Sequence, residues 1–317
     1  MGLGRKSDVL CARLHHSWVL GVFLALFSTL VMAHHGDAHS LVDAEGVPLV
    51  LNVPNNDPQD YYFQLLKKAM ETAANGRVIP VFQQAAPMAQ GRATYELLRG
   101  NLVDVYWMGS DDIRESHLLY IPIPLDRGLL GFRRFIIHRD MVSTFDKVKD
   151  FNDLKKLLAC QGRDWPDAKI MRNAGLRVTE ANSVENLYQQ VVAKRCDYFP
   201  RGFLEAELEM NANAKTYPEL TYYNELLLHY PFTQYFFVNP KNTALEKWIR
   251  DGLEMMIASG EFARYMKEHP YTSGVFFSSE LQSVNRLIRI DNAMMSHSTH
   301  YKDARYWFQP EDFIRGQ

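Results

Sequence analysis

The 317-residue chain has no run of Lys and Arg, and its formal net charge is −2. It therefore lacks the phosphate-neutralising stripe that a nucleic-acid surface needs, although a local arginine pair can still hold a small anion. The usual marks of enzymes are also missing: no G-x-S-x-G, no G-x-x-x-x-G-K-[ST], no H-E-x-x-H and no C-x-x-C. Gly-x-Gly-x-x-Gly is absent, which argues against a dinucleotide fold. Asp111 and Asp112 are neighbours in sequence, so their side chains splay and do not form a glycosidase pair. No low-complexity tract, solenoid repeat or long linker interrupts the chain. Cysteine is scarce, with only Cys11, Cys160 and Cys196. No cofactor, no metal and no nucleic-acid partner are expected.

What is present is ordinary for a folded protein: 47% apolar and 23% charged residues. The first forty residues stand apart. Arg5, Lys6 and Arg13 precede an uncharged apolar stretch from Trp18 to Met32, and Val31-Met32-Ala33 offers small residues at −3 and −1. This reads as a secretory signal peptide, residues 1–33. The apolar run is shorter than the ~20 residues of a membrane-spanning helix; an uncleaved anchor is the rival reading. Cleavage would remove three basic groups and one acid, taking the net charge from −2 to −4. His34, His35 and His39 follow the cut. Such a tract can bind copper, nickel or zinc, but it also reads as a polar, frayed terminus, and no metal site is assigned to it.

Strands and helices then alternate. Pro48–Asn52 reads as a strand. Tyr61, Leu65, Leu66, Ala69, Met70 and Ala73 recur at helical spacing, and Gly76 ends the pattern. Arg77–Phe82, Met88–Arg99 and Leu102–Met108 continue as strand, helix and strand. A β-rich stretch spans Gly128–His138. Helices are expected over Phe151–Leu158, after Pro166 and over Val184–Ala193, with strands at Leu176–Thr179 and Asp197–Phe199. Tyr235–Val238 reads as a returning strand, followed by an amphipathic helix carrying Leu245, Trp248, Ile249, Leu253, Met256 and Ile257. Alternation of this kind predicts an α/β protein with mainly parallel sheets. Two extended crossings near 132–139 and 233–239 would join two lobes, the first from 34–137 plus 236–317 and the second from 138–235. Cys160 and Cys196 then fall at opposite ends of parallel neighbours, ~10 Å apart and beyond the Cα limit of about 7 Å for a bridge. They are not expected to form an obligatory disulfide.

Four stretches carry a resemblance: Leu98-Arg99-Gly100-Asn101-Leu102-Val103-Asp104, Ser110 with Arg114, Gly162-Arg163-Asp164-Trp165-Pro166-Asp167, and Lys194 to Gly202. In order and spacing they resemble the bacterial type 2 periplasmic solute-binding proteins, close to the amino-acid-binding family. The resemblance implies a two-lobed type 2 periplasmic-binding fold with two hinge crossings, located in the periplasm. It implies no chemistry, a small-molecule ligand, an inner-membrane transporter or receptor as partner, and a monomer. Transport is the leading function, a ligand-sensing subunit the alternative, and an enzyme the third reading.

The resemblance also points to a site. Arg114, with Ser110 and Gly109, stands where the family's ligand loop lies. A guanidinium fork suits a carboxylate, and the carboxyl edge of an open α/β sheet is where ligands bind; the alternative is an ion pair with Asp111, Asp112 or Glu115. Arg201 follows another strand end and would face Arg114, or pair with Glu205. Gly162, Asp164 and Trp165 open a helix whose N-terminus favours anions, and Trp165 either stacks on the ligand or fills the core. Tyr61 and Trp107 are the aromatic candidates. Two departures from the family matter. The loop from Asp104 to Arg114 is about two residues shorter, and Arg201-Gly202 replaces the acid that grips an amino group. A carboxylate without an amine is the expected ligand.

Overall fold

The apolar spacing first seen at Tyr61 does form a one-sided helix. In α1, Tyr61–Thr72, residues Leu65, Leu66, Ala69 and Met70 are buried, and Asp60 caps the start by accepting from Phe63 N at 2.8 Å. The computed structural model describes residues 41–277, 284–295 and 301–312. The signal-segment expectation and His34, His35 and His39 lie outside the described residues.

In the first lobe, β1 (Val50–Val53) pairs in parallel with β2 (Val81–Gln84) across α1. Next come α2 (Gln90–Arg99), β3 (Val105–Gly109), α3 (Asp112–His117) and β4 (Leu119–Tyr120). In the second lobe, β5 (Phe132–His138), α4 (Val142–Phe145), α5 (Phe151–Leu154), β6 (Leu158–Gly162), α6 (Pro166–Asn173) and β7 (Arg177–Ala181) are followed by α7 (Val184–Val192), β8 (Tyr198–Gly202), α8 (Phe203–Asn213) and β9 (Leu220–His229). The chain then returns through β10 (Gln234–Val238), which lies between β3 and β4 and antiparallel to both. α9 (Thr243–Ala258), α10 (Glu261–Glu268) and α11 (Pro270–Phe277) cover that lobe, and β11 (Arg286–Arg289) comes last. The second lobe's sheet has the order β11-β9-β5-β8-β6-β7.

Along β5 the side chains alternate between two cores, as a pleated strand requires. Phe135 and Ile137 pack with Phe145, Tyr198 and Leu228 on one face; Ile136 packs with Leu187, Phe199 and Ala206 on the other. Each such burial contributes roughly 1.5–3 kcal/mol.

Several expectations need correction. The sheets are mixed rather than mainly parallel: β5 runs antiparallel to both β8 and β9, while β6 is parallel to β7 and β8. The chain changes sheets before Phe132, not near 137, because all of β5 pairs within the six-stranded sheet. It returns between His229 and Gln234, where Tyr230 N donates to Gly131 O at 3.2 Å and ties the two crossings together. The region after 236 is not confined to the first lobe, since β11 pairs in parallel with Leu226–His229 of β9. Helix α8 and the ten-residue strand β9 were not foreseen. Finally, Cys160 and Cys196 are joined in a disulfide with Cα atoms 5.7 Å apart. Cys196 does not stand in the ladder but in a bend just before β8, and there its Cα comes within 5.7 Å of Cys160 instead of ~10 Å.

After β11 the chain lies across the crossings. Asn292 Nδ2 donates to Pro231 O at 2.8 Å, and Phe308 N donates to Arg127 O at 2.8 Å. Trp307 is 1% exposed and presses on Gly128, where a Cβ would come within 2.4 Å of the indole. Tyr306 Oη donates to Glu254 of α9 at 2.9 Å. One segment thus holds the second lobe's sheet, the crossings and a first-lobe helix.

Candidate functional site

Strand ends and helix starts from both lobes meet around a cavity of ≈ 120 Å³. The first lobe supplies Gln90, the opening residue of α2, Gly109 at the end of β3 and Gln234 at the start of β10. The crossings supply Leu130 and Phe232. The second lobe supplies Arg133 from β5, Trp165, Pro166 and Asp167 around the start of α6, Val184 opening α7, Arg201 from β8 and Glu205 in the first turn of α8. Four helices therefore begin at this cavity, and helix N-termini carry free N–H groups and the positive end of the dipole. A larger, open hollow of ≈ 430 Å³ lies between α7 and β7, but its lining comes from the second lobe alone.

Two glycines make the cleft possible. A Cβ on Gly109 would lie 2.4 Å from the Phe232 ring, and one on Gly162 would lie 2.3 Å from the Trp165 indole. Trp165 folds back over the end of β6 only because Gly162 has no side chain.

Arg133 is 2% exposed. Its guanidinium sits 5.3 Å from the Tyr230 ring centroid and 5.2 Å from that of Phe232. Nη2 stands 2.5 Å from Asp167 Oδ1, but neither Nη2 nor Nε directs an N–H at an acceptor. Tyr230 Oη donates to the same Oδ1 at 2.5 Å. Burial works against the charge on Arg133, yet Asp167 overcomes it and holds the pKa above its ordinary value. Both successive arginines are buried because β5 is covered on both faces; a register irregularity opposite β9 falls between Arg133 and Phe135. Arg134 takes the other side, 3.9 Å from the Phe203 ring.

Arg201 is committed to acids. Glu205 lies 3.0 Å away, Nε donates to Glu209 Oε2 at 2.9 Å, and Nη2 pairs with Glu209 as well. Burial opposes the charge, but Glu205 and Glu209 together raise the pKa. Its guanidinium is 5.2 Å from the Trp165 ring. This is the Glu205 pairing weighed as the alternative for Arg201.

Arg114 lies just outside the cavity lining and is 5% exposed. Nη1 donates to Gly109 O at 2.6 Å, and Nη2 donates to Asp164 O at 2.7 Å in the opposite lobe. Burial lowers its pKa, and Asp111, 3.6 Å away, compensates only in part. Asp164 has φ +64, a left-handed conformation that Asp tolerates, and this turns its carbonyl toward Arg114. Ser110 Oγ donates to Glu115 Oε1 at 2.6 Å and does not line the cavity.

Tyr61 belongs to the first-lobe core. Its hydroxyl donates to Leu125 O at 2.8 Å and its ring stacks on Tyr265. Trp107 packs edge-on against Phe236, outside the cavity lining. Of the nine predicted site residues, the cavity brings together Gly109, Trp165 and Arg201. Gly162 shapes it, Arg114 and Asp164 bridge its rim, and Ser110, Tyr61 and Trp107 stand apart. Sequence reading missed Arg133, Asp167 and Gln90. Arg133-Arg134 inside an apolar strand was the available signal, because charged pairs in such a run are costly unless partnered.

At the first crossing, Asp126 accepts from Thr233 Oγ1 at 2.9 Å and from Gly128 N at 2.9 Å, while its Oδ2 has no partner. Burial pushes its pKa up to about 6. At the second, His229 packs at a tilt against Phe132, and burial brings its pKa down to about 4.

No family model and no curated protein matches the chain. Solved structures do. An ancestral arginine-binding protein bound to arginine is 15% identical with a TM-score of 0.51, covering 70% of this chain and 98% of that one. The amino acid ABC transporter substrate-binding protein AbpA from Streptococcus pneumoniae, bound to L-arginine, is 12% identical with a TM-score of 0.52, covering 69% and 93%. A histidine kinase sensor domain with similarity to periplasmic binding proteins is 14% identical with a TM-score of 0.51, covering 70% and 95%. At these identities the likeness concerns architecture: the chain has the two-lobed α/β fold of the periplasmic binding proteins.

Proposed function

We propose that this chain is an extracytoplasmic solute-binding protein whose lobes close on a small polar ligand and pass it to an inner-membrane transporter. The observation that carries the reading is the cavity itself. Both lobes and both crossings line it, and Arg114 reaches over its rim to the opposite lobe. A ligand held there touches both lobes at once, so it stabilises the closed form by its differential affinity for that form. The Cys160–Cys196 disulfide agrees with an oxidising compartment, as export requires. No nucleophile–base pair lines the cavity, and the proposed role involves no turnover.

A sensing role rests on the likeness to the histidine kinase sensor domain. In that case the closed form would be read by a membrane receptor rather than a permease. Mass spectrometry of ligand co-purified with the protein, together with solution scattering before and after its removal, addresses the shared premise. A bound small molecule whose loss expands the protein is the expected result. A ligand-free protein whose dimensions no small molecule alters would defeat the reading.

A further inference from the structure

Resting on that reading, we propose that Arg133 is the anion anchor of the cleft and that the ligand is a small carboxylate or comparable oxyanion without an ammonium group. The polar groups around the cavity divide into those already satisfied and those still open. Both lining acids are engaged. Asp167 Oδ1 lies against Arg133 and accepts from Tyr230, while Glu205 accepts from Gly202 N at 3.1 Å and lies 3.0 Å from Arg201. An ammonium would have to take a carboxylate that already serves an arginine.

The open groups are mostly donors. Arg133 Nε is buried with no hydrogen-bond acceptor, and Nη2, although 2.5 Å from Asp167 Oδ1, aims no N–H at it. A buried, charged donor left in that condition is costly unless a ligand supplies the acceptor. The four helix starts around the cavity add the same preference for negative charge. Gln90 adds a further open group from the first lobe, since its Oε1 is buried and unpartnered. An oxyanion on Arg133 with a neighbouring hydroxyl on Gln90 would join the lobes. The cavity is small, ≈ 120 Å³, which suits a compact acid. The Tyr230 and Phe232 rings keep the guanidinium beside the cavity.

Thermal shift and calorimetry on the purified protein test this with glycolate, L-lactate, pyruvate, malonate, succinate and inorganic phosphate on one arm, and glycine and L-alanine on the other. At least one member of the first arm is expected to raise Tm, and the amino acids to leave it unchanged. Phosphate alone acting would identify an inorganic ligand; a carboxylate acting would identify an organic acid. Arg133→Met should weaken the active anion roughly 30-fold or more. Because that variant strips Asp167 of its counter-ion, Arg133→Met with Asp167→Asn keeps the charge balanced and should bind equally poorly while folded. Undiminished binding in the folded double variant overturns the proposal. So does tight binding of glycine or L-alanine, or no response to any member of the first arm. If a co-purified ligand then proves to be uncharged or cationic, the anchor assignment fails while the solute-binding reading survives.

Discussion

Arg114 in the first lobe donates from Nη2 to the main-chain carbonyl of Asp164 in the second, at 2.7 Å. Lys169 and Asp112, 3.9 Å apart, add a weaker contact across the same gap. Arg114 therefore spans the gap between the lobes, and its expected contribution is to closure. A hydrogen bond from a charged donor contributes about 1.5–3 kcal/mol, so Arg114→Ala should lower apparent affinity roughly 10- to 150-fold. It should also expand the unliganded protein in solution scattering, whereas Arg133→Met should leave those dimensions unchanged. A compact Arg114→Ala protein with native affinity would remove Arg114 from closure.

Asp126 and His229 should tilt the pH dependence of stability in opposite directions. Asp126 titrates at about 6 in the fold against an ordinary 3.8. The folded protein then holds the extra proton in that window, and stability falls as pH rises through it. His229 titrates at about 4 against 6.5. Here the unfolded chain holds the extra proton between those values, and stability rises with pH. Each contribution is on the order of 3 kcal/mol. Urea titrations from pH 4 to 7 should show Asp126→Asn steepening the rise relative to the native protein, and His229→Gln producing a fall. Parallel curves for all three proteins would contradict both assignments.

The disulfide closes a loop with a sequence separation of 36. Chain-entropy arguments put its contribution at roughly 3–4 kcal/mol. Replacing both Cys160 and Cys196 by Ala should lower the urea midpoint accordingly, and a reductant should reproduce the loss in the native protein only. Thiol titration of the denatured, unreduced protein should find neither of these two thiols free.

Gly128 and Trp307 form a testable pair. Gly128 has φ +82 and would place a Cβ 2.4 Å from the indole. Trp307→Ala should cost about 3–5 kcal/mol through the lost burial. Gly128→Ala should be destabilising for both steric and conformational reasons, and less so when Trp307 is already Ala. A double-mutant cycle with no coupling would show that the segment does not bear on the crossing.

The sequence made the alternation of strands and helices readable because apolar spacing and punctuating residues are local signals. Gly100 ends α2 in a left-handed conformation, and Pro166 opens α6. Strand direction was less legible, since pairing is decided by segments distant in sequence: β10 lies between β3 and β4 only because the chain returns from the other lobe. β9 escaped notice because its burial does not alternate: Leu220 and Tyr223 are buried with two residues between them, and burial is then continuous from Leu226 to His229. The site divided along similar lines. Gly109, Trp165 and Arg201 stand at strand or helix ends, where residue type and position speak together. Arg133 sits inside a strand, and only the fold, which brings Asp167 of α6 within 2.5 Å of it, shows why an arginine belongs there.

The pairing of β11 with β9 also has a bearing on how the protein is made. β5 covers one edge of β9, but the other, along Leu226, Leu227 and Leu228, stays open until everything between His229 and Arg286 has been synthesised. An apolar strand edge invites foreign strands. A growing chain therefore carries this edge uncovered while residues 230–285 are added, until Arg286–Arg289 arrives to close it.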